Sequence, residues 1–118
     1  MRRILLALCL IGLLSQAAQA GNLVSTSKTV TTAGTRVQLL TATTNVYWVD
    51  IQADCDNTGN IFVGDSTASS SVGITLRPCT VLPISPGAVA RDALNLTNIW
   101  IDSSVNGEGV TINYWTYP

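Results

Sequence analysis

The sequence contains no histidine. That removes the commonest general base, the Ser-His and Cys-His nucleophile pairs, and most zinc and copper sites. Lysine is almost missing too: Lys28 stands alone, with nothing nearby to suggest the desolvation that makes an amine reactive. Charged residues are only 11% of the chain, so Ser, Thr, Asn and Gly must supply most of its polar surface. No glycine-rich loop leads into a helix, which excludes the common phosphate cradles. Nor does any segment after residue 20 carry a sustained helical period. One hydrolytic option survives, a carboxylate pair of Asp50 and Asp102. Both fall in strand bodies rather than in a recognisable cleft. The expectation is a protein that is not an enzyme and needs no cofactor.

What is present begins with a leader. Residues 1–20, MRRILLALCLIGLLSQAAQA, run from the basic pair Arg2 and Arg3 through an apolar stretch to Ala18-Gln19-Ala20. That order predicts a helical secretory signal peptide cut after Ala20, and the stretch is short for a membrane span. Leu8 before Cys9 does not fit a lipoprotein signal. An uncleaved leader that anchors or packs is the alternative, and it is the sole membrane contact foreseen.

Subtracting 20 residues from 118 leaves 98, residues 21–118, which suits one domain. Six Lys and Arg, less Arg2 and Arg3, leave four against seven acidic residues, a net charge of −3. Nucleic-acid backbones and anionic membranes are poor partners for such a surface. Cys55 and Cys79 are the cysteines outside the leader, and in an exported chain such a pair predicts a disulfide.

Short runs of alternating residues predict about eight strands, near 28–32, 35–40, 46–53, 60–64, 74–76, 80–84, 98–102 and 109–116. Turn residues separate them: Ala33-Gly34, Asn57-Thr58-Gly59, Ser85-Pro86-Gly87 and Asn106-Gly107, the last a hairpin signal. Segment 91–97 suits one helical turn, and the hydroxyl-rich 65–73 a loop. The fold class expected is an all-β antiparallel sandwich or small barrel.

A period of two assigns Tyr47, Val49, Ile51, Ala53, Ile61, Val63, Ile99, Ile101, Val110, Ile112 and Tyr114 to the core. The same alternation turns Trp48, Phe62, Trp100 and Trp115 outward beside Asp50, Gln52, Asp102 and Asn113. Outward aromatics among polar groups suit a protein interface, through which the chain would bind itself or a larger assembly. They also suit carbohydrate, with rings stacked on sugar faces and polar groups on hydroxyls. The third option is cover by a loop or the N-terminal segment of the same chain.

DCDNTGNIFVGD, residues 54–65, has most of a calcium-loop frame, with Asp54, Asp56 and Asp65 as weak candidate ligands. Strand-like flanks and Asp65 in place of a twelfth-position Glu favour a hairpin connection instead.

Three stretches, TTAGTRVQLL, VDIQADCDNTGNIFVGDS and LNLTNIWIDSSVNGEGVTINYW, together resemble small all-β virion proteins of tailed bacteriophages. The likeness runs across most of residues 29–115, carried by the order of a TAGT opening, an IQA strand, DNTG, VGD and a G-[DE]-G-V turn. It implies a capsid decoration, fibre or tail-associated component that works by assembly, located in a virion. The leader and the cysteine pair depart from that family and point to export to the periplasm or beyond.

Overall fold

The computed structural model describes residues 21–86 and 94–117. The leader and the first part of the 91–97 segment lie outside the described residues. Among the described residues no helix is long and apolar enough to cross a membrane.

The chain is all-β, built as two antiparallel sheets around a shared core in a sandwich-like arrangement. In chain order its strands are β1 (Leu23–Val30), β2 (Val37–Gln38), β3 (Asn45–Ala53), β4 (Ile61–Gly64) and β5 (Ile74–Leu76). They continue with β6 (Val81–Ile84), β7 (Leu94–Asn95), β8 (Trp100–Ser103) and β9 (Glu108–Thr116). The first sheet runs β1–β9–β3–β6, with β7 also on β3, and the second runs β2–β8–β4–β5.

Two long strands carry the first sheet because their alternation is strongest. In β3, Val49, Ile51 and Ala53 point inward and are fully buried, and so are Val110 and Ile112 of β9. Ile61, Val63 and Leu76 from the second sheet, with Ile101, close the core from the other side. At about 25 cal/mol per Å² of apolar surface removed from water, this shared burial is the main stabilising term.

The two turns expected to make hairpins, Asn57-Thr58-Gly59 and Asn106-Gly107, do not, and the Ala33-Gly34 break behaves as they do. The segments containing Ala33-Gly34, Asn57-Thr58-Gly59 and Asn106-Gly107 each connect a strand of one sheet to a strand of the other. Turn chemistry reports a left-handed backbone, as at Gly34 (φ 80°) and Gly107 (φ 78°), and not which strands pair. The chain therefore crosses between sheets at these corners. Segment 91–97 was expected as a helical turn; its described part is β7 followed by a 3₁₀ turn over Leu96–Asn98, capped by the Asn95 side chain.

Two further differences have local causes. β1 starts at Leu23, well before position 28, because Ser25 and Ser27 face water along an edge and leave no apolar alternation to read. A bulge between Val46 and Trp48 shifts the β3–β9 register by one residue. Val46 therefore enters the core, whereas Tyr47, expected inside, lies outside against Tyr117 with ring centroids 3.7 Å apart.

Cys55 and Cys79 form the expected disulfide. It joins the corner after β3 to the turn between β5 and β6, where the Cys79 amide donates to Ala53 O at 3.0 Å. Cys79 sits at φ 66°, a region a side chain tolerates poorly, so the bond and its neighbours hold it there. Replacing both cysteines by serine should lower unfolding free energy by about 3 kcal/mol, the loop-closure term for a loop of this size. Urea denaturation of the oxidised wild type against the double variant measures it.

Candidate functional site

The stretch that resembled a calcium loop is organised around an anion belonging to the protein. Glu108, at the start of β9, is buried beneath the corner formed by Asn57, Thr58 and Gly59. Its Oε1 accepts from the Thr58 amide, from Thr58 Oγ1 at 2.7 Å and from the Gly59 amide at 2.8 Å. Gly59 N also lies 3.1 Å from Oε2, and Ser103 Oγ donates weakly to Oε2 at 3.4 Å.

Beside it, Asn57 Nδ2 donates to Gly109 O at 2.8 Å, and Gly109 N returns a bond to Asn57 Oδ1 at 3.1 Å. The Asp54 amide donates to Gly109 O as well. A Cβ on Gly59 would collide with the Ser104 hydroxyl and approach Val105 Cγ2 to 2.8 Å, so any larger residue would have to displace these side chains. The DNTG and GEG segments, far apart in sequence, are thus two halves of one joint.

That polarity is opposite to a cation site: amide hydrogens converge on a carboxylate. Asp54 Oδ1 instead accepts from Thr111 Oγ1 at 2.9 Å, and Asp65 Oδ1 accepts from Thr67 N at 2.8 Å and Thr67 Oγ1 at 2.6 Å. Asp56 is exposed, and β4 separates it from Asp65. No group of three or more acidic or cysteine side chains converges among the described residues.

Burial pushes the Glu108 carboxyl up, but the hydrogen bonds from Thr58, Gly59 and Ser103 together outweigh it and hold the group below the ordinary value of 4.5. Asp65 is also lowered, by its Thr67 hydrogen bonds first and by nearby Arg36 to a lesser degree.

The outward aromatics do not form one row. Trp48 and Trp115 are opposed across β3 and β9 on the outer face of the first sheet, with Asp50 opposite Asn113 and Gln52 opposite Thr111. Phe62 and Trp100 belong to the second sheet, whose outer face is on the other side of the molecule. Phe62 is buried at 6% exposure, so cover within the same chain, one of the three options for these rings, applies to it. Its opposite neighbour Asp102 is buried too, at 3%, with Oδ1 accepting from Gly34 N at 2.9 Å and Ser103 N at 2.8 Å. The corner between β1 and β2 is thereby tied to this face. Trp100 is half-buried and lines an open cleft of about 480 Å³ with Gly34, Thr35, Arg36 and Ser66. Asp50 and Asp102 lie on different sheets, so the carboxylate pair is not assembled.

The first sheet's outer face is therefore the candidate site. Leu23, opposite Trp115, is 60% exposed, Trp115 38% and Val81 50%. Ser25, Ser27, Thr111, Asn113, Asp50 and Gln52 fill the rows between them with hydroxyl, amide and carboxylate groups. Gly21 approaches the Trp115 indole so closely that a Cβ would lie 2.8 Å from Nε1. Sequence reasoning missed Glu108; its signal was the chain's single glutamate, set between Gly107 and Gly109.

Comparison with protein-family models, with curated proteins and with solved structures returned no match.

Glu108→Ala should destabilise the fold by roughly 2–4 kcal/mol, since each buried group left unpaired costs about 1–3 kcal/mol. Because the folded pKa is depressed, the carboxylate's contribution is complete above pH 4.5 and is lost as pH falls through the lower folded value. Denaturation midpoints across acidic pH should show that loss in the wild type, and a flatter profile in Glu108→Gln.

Proposed function

We propose that this chain is a non-enzymatic structural protein, a phage virion component of the decoration, fibre or tail-associated kind, which docks through the outer face of its first sheet onto copies of itself or a larger particle. The observation that carries this reading is the exposure of Leu23, Trp115 and Val81 on one sheet face beside Trp48. Tryptophan and leucine left in water gain free energy when a partner surface desolvates them, and aromatic anchors dominate interfaces. The resemblance of TTAGTRVQLL, DCDNTGNIFVGDS and NGEGV to phage virion proteins supports the kind of assembly. The leader and the disulfide support an oxidising compartment on the way there.

A second reading is favoured by one feature. Trp48 and Trp115 stand directly opposite each other, one row from Asp50 and Asn113. That places two rings beside a carboxylate and an amide, which suits carbohydrate: the face would then belong to an exported sugar-binding module.

Trp115→Asp separates the two. Light scattering over a range of concentrations should show the wild-type chain forming assemblies that the variant does not reach. Tryptophan fluorescence titrated with polysaccharides should show no saturable quenching in the wild type. Saturable quenching with unchanged mass would favour the sugar module.

A further inference from the structure

The four sheet edges differ in how they are protected. β2 and β5 are two and three residues long, and β6 carries Pro83, all devices that blunt an edge against pairing. β1 has none of these. Its eight residues, LVSTSKTV, stay in unbroken register with β9 from Leu23 opposite Trp115 to Val30 opposite Glu108, and Lys28 is its one charge.

Asn22 O accepts the Thr116 amide and Val30 O the Gly107 amide, so the even-numbered residues of this stretch face β9. In an antiparallel ladder the intervening residues then present their backbone groups to the free edge. Those are the N–H and C=O groups of Leu23, Ser25, Ser27 and Thr29, and none has a hydrogen-bond partner among the described residues.

We propose that β1 pairs antiparallel with β1 of a second copy across a two-fold axis at Thr26. This deepens the assembly reading above and rests on it. The strand is self-complementary in that register: Leu23 meets Thr29 of the second copy and Ser25 meets Ser27, so all four free N–H groups and all four free C=O groups of each strand are satisfied. Shifting the strands by two residues either way leaves one end of each strand unpaired. A four-residue shift the other way would set Lys28 against its own copy, whereas the Thr26-centred register sets Lys28 opposite Val24. Hydrogen-bond count therefore selects the Thr26-centred register, and like-charge contact further disfavours the register centred on Lys28. The pair joins two first sheets into one continuous sheet and places both Trp48–Trp115 rows on a single face.

The test uses the full-length gene product in a Cys9→Ser background. Thr26 faces its own copy in a non-hydrogen-bonded pair, where Cα atoms stand about 4.5 Å apart and a disulfide fits. Thr26→Cys should form a reducible intermolecular bond under mild oxidation, while Ser25→Cys should not. Ser27→Pro removes an edge donor without touching the β9 ladder, and sedimentation should show the pair lost in it but retained in Trp115→Asp. Absence of the bond at position 26, or a pair that survives in folded Ser27→Pro, overturns the edge pairing. If Trp115→Asp assembles as the wild type does while the bond at 26 forms, the docking face fails and the edge stands.

Discussion

Glu108 is the constraint on which the rest of this structure depends. A buried carboxylate is costly unless its lone pairs are met, and here the Thr58 and Gly59 amides and two hydroxyls meet them. Because Glu108 begins β9, the bond fixes where the corner after β3 sits relative to the strand at the centre of the first sheet. The reciprocal Asn57–Gly109 pair sets the same joint from the other side. The neighbouring Ser104 hydroxyl accepts the Asn60 amide at 2.8 Å, which extends the joint to the start of β4. One end of the sandwich is thus closed by polar groups, leaving the apolar residues free to fill the space between sheets.

The disulfide works on the same corner from the opposite direction. Cys55 immediately precedes the DNTG segment, and Cys79 precedes β6, so the bond links the two segments that cross between sheets beside β3. A domain as small as the one described buries a modest fraction of its surface, and covalent closure compensates for that by restricting the unfolded chain. Stability concentrated at one corner leaves the outer face of the first sheet and the β1 edge unburdened by structural duties. Leu23 and Trp115 are exposed on that face, and among the described residues the outward backbone groups of β1 have no hydrogen-bond partner.

The expected core was largely legible, and its exceptions share one origin. Val49, Ile51, Ala53, Ile61, Val63, Ile101, Val110 and Ile112 are buried as their alternation requires. Tyr47 and Val46 exchange places because a bulge adds one residue to β3, and no residue type in that stretch announces it. Likewise Trp48, Phe62, Trp100 and Trp115 were correctly turned away from the core, yet alternation cannot say which sheet a strand joins. The single aromatic row became two faces on opposite sides, and Phe62 was covered by its own chain.

Taken alone, the sequence determined the all-β class, the positions of β3 and β9, most of the inward residues and the Cys55–Cys79 pair, because periodicity and composition act locally. Only the tertiary structure decided that DNTG, read as a hairpin with a calcium-like frame, is a corner between sheets gripped by a distant glutamate. The physical reason is that glycine and asparagine mark a turn or a close approach without saying which segment stands on the other side. The partner of a turn's amide groups is chosen by the packing of segments some fifty residues apart. The same packing set β1 at an edge of the first sheet as described, a position its own eight residues do not encode.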